Sequence, residues 1–489
     1  MRILSKLTDI AMRIDENERQ TLISIFSKII LTAAGFFSTV FFAHTLGAAL
    51  LGEYWIFLAY FAVFSIICDG GVSSAAVKKI SEGEDESDEY FTASVILRII
   101  LTLATVAGLI VLSPVFVDFS STGLMPYLIA ALLVSGVFTT VSSAVYAKGD
   151  VGISQIAGLF NEISRIIFQV IFVFAGFMTG GLAAGLIAGF TAGILANTRY
   201  LKVSIKKFKR RHITGILAFS GWTFLSSAVM SITAYAGTIL VGYFMKSSDA
   251  GIYTTALMLT SAVTFSSAAL LTALYPKIIK WHANGEFACI KNAMGRIFTY
   301  SLLPAVPAVS GGALLGRELL YYLYGADFTG GYFALVFLFI AQLAQVFFAA
   351  YIMAVNAAGQ PRLAFRAAFV QSAVVVPLYL VLIPLFGICG AGIAVMSANI
   401  AAAFVSYIYA GNYTTIEYQK SQLSNIFLSA ILMSAFLFAA KSVFVPQSWL
   451  HVLLLVFFSA VFYFAVLLKT DNNILRDLKK LFFDIGIKI

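Results

Sequence analysis

The chain has 489 residues, of which 60% are hydrophobic and 11% charged, with a mean hydropathy of +0.93 and a net charge of +9. A soluble domain carries about 25% charged residues, so this composition excludes a water-soluble enzyme or binding module. Three cysteines, scattered and odd in number, exclude a disulfide framework, and four histidines without ligand spacing point to no metal site and no cofactor.

The first twenty residues, MRILSKLTDIAMRIDENERQ, place Ile3, Leu7, Ile10 and Ile14 on one helical face, opposite Lys6 and Arg13. That spacing predicts an interfacial segment over 1–20 rather than a signal peptide. Runs long enough to cross about 30 Å of hydrocarbon follow at 29–46, 54–77, 91–111, 124–146, 153–177 and 182–200. After the basic stretch KVSIKKFKRRH, six more occupy 222–244, 253–275, 293–315, 332–354, 363–385 and 388–409, and two close the set at 426–445 and 450–468. The expectation is an all-α polytopic membrane protein of about 14 transmembrane helices.

With both termini cytoplasmic, all but five of the 32 Lys and Arg fall on the cytoplasmic side. Lys246, Arg317 and Lys441 lie outside, and Arg98 and Arg165 lie within spans. This is the positive-inside asymmetry of a cell-membrane protein, so the excess charge is not a nucleic-acid signal.

The chain repeats itself. LGEYWIFLAYFAVFS (51–65) resembles AGIYTTALMLTSAVTFS (250–266), and AKGDVGISQIAGLFN resembles AAGQPRLAFRAAFVQ, pairing Gly149 with Gly359 and Asn161 with Gln371. Six spans per repeat give both halves one orientation, hence two pseudo-twofold six-helix lobes with a central cavity between them. The expected organisation is an N-lobe at 21–201, a basic cytoplasmic linker at 202–212 and a C-lobe at 213–411. Two additional helices follow at 412–470, then a cytoplasmic amphipathic tail at 471–489. Gly181, Gly185, Gly189 and Gly193 form a stripe on the sixth span, answered by Gly390, Ala394, Ala398 and Ala402 on the twelfth. Small residues at that spacing let a neighbouring backbone approach closely, so the stripe reads as helix packing.

The ionisable residues inside spans are the candidate site. Asp69 lies about 13 Å below the cytoplasmic surface and Arg98, on the next antiparallel span, about 12 Å. They can pair; alternatively Asp69 caps a new short helix after a break at Gly70 and Gly71. On the fifth span Ser154, Gly158, Asn161, Glu162, Arg165 and Gln169 share one face, with Glu162 near the midplane. Such residues mark substrate or ion routes, or a structural pair between packed helices. The second lobe offers Gln342 and Gln345, Gln371 at the position of Asn161, and Arg366 near the cytoplasmic mouth, placed as Lys28 is on the first span. Pro304, Pro307, Pro377 and Pro384 kink the ninth and eleventh spans and free carbonyls there.

The stretch LGAALLGEYWIFLAYFAVFSIICDGGVSSAAVKKISEGE carries Leu46, Gly47, Gly52, Tyr54, Asp69, Gly71, Lys79, Ile80 and Ser81 in a recognisable pattern. It resembles the oligosaccharide and polysaccharide flippase branch of the multidrug/oligosaccharidyl-lipid/polysaccharide exporter superfamily, over about residues 20–411. The resemblance implies the two-lobed fold shared with the multidrug and toxin extrusion (MATE) exporters. It also implies translocation of an oligosaccharide on a polyprenyl phosphate or pyrophosphate, by alternating access, for surface glycan synthesis. Partners would be that lipid-linked saccharide, membrane lipids and glycan-assembly proteins. Arg98 and Arg165 would serve a cationic lumen, although Asp69 and Glu162 cancel their formal charge; Asp69 and Glu162 are thus candidates for charge pairing or proton coupling. No phosphate-binding loop of the G-x-x-x-x-G-K-[ST] type is present. The alternatives are a cation-coupled drug exporter, whose usual acid in the first helix is missing here, and a membrane glycosyltransferase or polymerase, for which the outer loops hold only single acids.

Overall fold

Backbone polar groups in hydrocarbon must bond within their own segment, and the described elements are helices. A computed structural model describes residues 16–82, 84–112, 114, 119, 122–413, 418–471 and 473–476, with 16–29 and 84 described by backbone only. The expected interfacial segment at 1–20 therefore lies mostly outside the described residues, as do the tail beyond 476 and the side chain of Lys28.

The helices are α1 (Glu16–Asp69), α2 (Val72–Glu82), α3 (Ser87–Leu112), α4 (Met125–Ala147), α5 (Val151–Phe174), α6 (Met178–Thr198) and α7 (Arg210–Phe244). They continue as α8 (Ser247–Ser261), α9 (Phe265–Ala283), α10 (Phe287–Tyr324), α11 (Tyr332–Ala357), α12 (Pro361–Gly411), α13 (Lys420–Val443) and α14 (Trp449–Thr470). Twelve helical stretches among the described residues are long and apolar enough to cross a membrane. Two of these are too long for a single crossing. The 54 residues of α1 would extend about 80 Å if straight, and Gly47 (φ 74°, ψ 178°) breaks them. Phe41 before the break lies tilted against Phe174, ring centroids 5.9 Å apart, while Glu53 after it accepts a hydrogen bond from Thr179 at 3.0 Å. Both arms of α1 thus reach the same end of α5 and α6. Gly387 (φ 58°, ψ −140°) folds α12 likewise. Counting each folded pair as two brings the total to the expected fourteen crossings.

The chain forms two compact units that part between Ile239 and Leu240. In the first, the start of α7 packs on α2 and α3: Ile216 is buried with Val72, Ala75 and Ala93. A Cβ on Gly71 would stand 2.3 Å from the Ser220 carbonyl oxygen, so only glycine fits there.

The basic segment before α7 lies extended along the same unit. Ser204 donates its backbone N–H and hydroxyl to Asp88, both at 3.0 Å, and the Lys206 N–H donates to Thr92 Oγ1 at 2.9 Å. Lys206 and Lys202 pair with Asp88 and Asp150 at 2.7 and 2.6 Å, and Arg211 pairs with Glu86. His212 is buried against Tyr90, accepts from the Lys209 N–H at Nδ1 and turns Nε2 toward Glu86 at 3.2 Å.

In the second unit, α13 and α14 pack on α10: Leu302, Leu303 and Val306 meet Ile426, Ala430, Met433, Tyr463 and Leu467. Pro307 has no N–H to give the carbonyl four residues back, that of Leu303. The Tyr463 hydroxyl donates to this oxygen at 2.8 Å.

Candidate functional site

The polar face of α5 is the centre of the first unit's chemistry. Ile156, Phe160, Ile167 and Ile171 are about half exposed on the other side of the helix, as a lipid-facing stripe requires. On the polar side Arg165 pairs with Glu162 at 2.5 Å, one helical turn away; their side chains are 19% and 36% exposed. Asn161 and Gln169 on either side are buried. Gln169 donates from Nε2 to the Tyr54 hydroxyl at 2.6 Å and to the Leu182 carbonyl at 2.9 Å, and Tyr54 lies beside Arg165.

The glycine stripe of α6 is what makes room for this face. A Cβ at Gly185 would fall 2.4 Å from Gln169 Cγ, and one at Gly189 would fall 2.7 Å from Arg165 Cβ and 2.8 Å from the Asn161 carbonyl oxygen. Gly193 meets Phe138 and Asn161, and Gly181 meets Phe172. The stripe and the polar face, separate features in the sequence, are two sides of one helix contact.

Asp69 occupies the last position of α1, followed by Gly70 (φ 56°) and Gly71 (φ 78°). Its carboxylate accepts from the Gly71 N–H at 3.1 Å, the Ser73 N–H at 3.3 Å and the Ser73 hydroxyl at 2.5 Å, closing the turn into α2. Arg98 donates to the same oxygen, to Ser73 Oγ at 3.3 Å and to Thr139 Oγ1 at 2.9 Å. The cap and the ion pair, alternatives in the sequence, coexist. Arg98 is 5% exposed and borders a cavity of only about 10 Å³ lined also by Ser94, Thr140 and Ser143. Such a space holds about one water.

The second unit replaces ions by amides. Gln371 donates to Asn399 Oδ1 at 2.7 Å and to Gln345 Oε1 at 3.1 Å, and Asn399 donates to the Ala341 carbonyl at 2.9 Å. Gln342 is buried on α11, whereas Arg366 is exposed on α12 and stands apart from this chain of bonds. The alignment that pairs Asn161 with Gln371 also pairs Gln169 with Tyr379. Tyr379 meets Tyr253 hydroxyl to hydroxyl at 3.2 Å, as Gln169 meets Tyr54. Gly390 meets Leu382 as Gly181 meets Phe172. The repeat is thus written into equivalent contacts within each unit.

Sequence reasoning missed Asn399, Thr139 and Ser73. Their polar side chains inside or beside apolar runs were the available signal, but serine, threonine and asparagine are common enough in membrane helices to be passed over.

A family model described as polysaccharide biosynthesis protein matches residues 18–282, more than half of the chain. A probable low-salt glycan biosynthesis flippase of Haloferax volcanii, Agl15, is 24% identical over 436 residues, covering 88% of this chain and 92% of the relative. Among solved structures, the lipid II flippase MurJ in an inward closed conformation superposes with a TM-score of 0.77 at 16% identity, covering 94% of this chain and 99% of MurJ. An inward-facing MATE family multidrug transporter of the MOP superfamily reaches 0.66 at 16% identity, covering 80% and 97%. The fold is the one these transporters share, and the chain belongs to the polysaccharide biosynthesis protein family.

Proposed function

We propose that the protein is a flippase that moves a lipid-linked saccharide, borne on a polyprenyl phosphate or pyrophosphate, across the cell membrane by alternating access. The observation that carries this reading is the partly exposed Glu162–Arg165 ion pair on a membrane helix whose opposite face is apolar. A charge near the bilayer centre costs about 2.5–3.5 kcal/mol on insertion scales, and charges kept there usually face a bundle interior or a water-filled cavity. Arg165 keeps guanidinium donors beyond those used by Glu162, and a forked donor suits a phosphate. The name of the Haloferax relative and the family match support the same reading. No covalent chemistry is required: the substrate leaves as it entered, and the basic strap marks the cytoplasmic side of entry.

The test is complementation of a glycan-deficient deletion strain. Arg165→Glu should abolish surface glycan while the protein remains at normal membrane abundance, and Glu162→Gln should reduce it severalfold. Wild-type glycan from Arg165→Glu would end the reading. Resistance to cationic drugs without any glycan effect would mark a multidrug exporter instead.

A further inference from the structure

At the end of α10 remote from Lys291 and Arg296 lies a pocket of about 450 Å³, lined by Arg317, Glu318, Tyr321, Tyr322, Thr329 and Lys441. Its size is that of a small-molecule site. The walls are pinned together. Lys441 on α13 pairs with Glu318 at 2.6 Å and donates to the Leu314 carbonyl at 2.9 Å, and the Tyr322 hydroxyl donates to the Pro446 carbonyl at 2.8 Å. The helix outside the repeat and the loop that follows it are thereby held against α10.

The charge balance inside the pocket is informative. Lys441 is committed to Glu318, whereas Arg317 is exposed and makes no ion pair among the described residues. One guanidinium, with its five donors, is left for a ligand. Cations are scarce on this side: Arg317 and Lys441 are two of the three expected there. Tyr321 is 47% exposed beside Tyr322, their rings meeting edge to face at 4.9 Å. An accessible aromatic face offers an apolar platform with a polar rim, which suits the C–H face of a sugar ring, and an uncommitted guanidinium suits a carboxylate or phosphate.

We propose that this pocket binds an acidic saccharide head group, its anionic group held by Arg317 and a sugar ring stacked on Tyr321, on the face to which the glycan is delivered. The biological ligand and the direction of delivery rest on the flippase reading; the pocket's chemistry does not.

The full-length protein in nanodiscs of zwitterionic lipid is titrated calorimetrically with a soluble hexuronic acid tetrasaccharide, with maltotetraose and with inorganic phosphate. The uronate should bind, maltotetraose should not, and Arg317→Gln and Tyr321→Ala should each weaken the uronate about tenfold. Both side chains are exposed, and an unchanged melting temperature checks that the variants fold. Absence of uronate binding, wild-type affinity in both variants, or phosphate binding as tightly as the uronate would overturn the proposal. Loss of uronate binding when anionic lipid replaces part of the zwitterionic lipid would assign the pocket to lipid phosphate and overturn it too. Arg165→Glu should leave this binding intact, so failure of the pocket and failure of the flippase reading are separately visible.

Discussion

At the scale of single residues, the sharpest constraint falls on glycines that carry no turn. Gly189 is helical, yet a methyl group there would press on Arg165 Cβ and the Asn161 backbone oxygen, both under 3 Å away. Neither neighbour is the free end of a flexible chain. Overpacking of this kind costs about 1–3 kcal/mol, so Gly189→Ala should lower the melting temperature of the purified protein. Gly158, on α5 itself, has nothing within 4 Å of its would-be Cβ, and Gly158→Ala should leave the melting temperature unchanged or raise it. Equal behaviour of the two variants would contradict the contact described between α5 and α6. Asp69 shows how far residue-level reading goes. Helix rise alone brings it level with Arg98, and the glycines after it mark the break. That Ser73 and Thr139 complete the cluster depends on α2 turning back and on α4 lying alongside, which no local spacing encodes.

At the scale of elements, proline and tyrosine compensate one another across α10 and α14. Tyr463→Phe should strand the Leu303 carbonyl that Pro307 leaves unbonded, at a cost of about 1–3 kcal/mol for a buried unsatisfied group. Pro307→Ala supplies the missing N–H. The double variant should therefore melt above Tyr463→Phe alone, and a double-mutant cycle measures the coupling. Strict additivity would show that Tyr463 does not compensate for Pro307. The strap before α7 is a different kind of element, held by several exposed ion pairs that are individually weak. The hydrogen bond and charge of Asp88 raise Lys206 above the ordinary lysine pKa. Lys206 in turn holds Asp88 below the usual carboxylate range, so their pairing is in place at neutral pH and is lost as the pH climbs through the raised lysine range or falls through the lowered range of Asp88. Sequence patterning picked out this run as basic and predicts a cytoplasmic place for it; it did not show that the run is docked, because its partners Glu86, Asp88 and Asp150 lie some 50 to 125 residues away.

For the whole molecule, the number of crossings sets which face each segment meets. From the strap to the 3-10 turn at Ala326–Gly331 the chain crosses three times, through α7, the α8–α9 pair and α10. In a variant with Cys68, Cys289 and Cys389 replaced, Lys207→Cys should react with an impermeant maleimide only from the cytoplasmic side. Thr329→Cys should react only from the outside. Labelling of both from one side would remove the fourteen-span topology and, with it, the placing of the Arg317 pocket on the delivery face.

The sequence by itself determined that this chain lives in a membrane, how many times it crosses and roughly where each crossing lies. Hydrocarbon forces every apolar run to satisfy its backbone internally, and composition and length then leave few choices. It also determined the repeat and the ionisable residues within spans, because charges there stand out against so apolar a background. Tertiary structure alone decided what those residues meet. The Gly189 stripe closes over Arg165, the start of α7 packs on the first unit through Gly71, and Arg317 is left uncommitted because Lys441, more than a hundred residues on, takes Glu318. Each of these is a contact between distant segments, set by shape and by competition for partners, and neither quantity is carried by local periodicity.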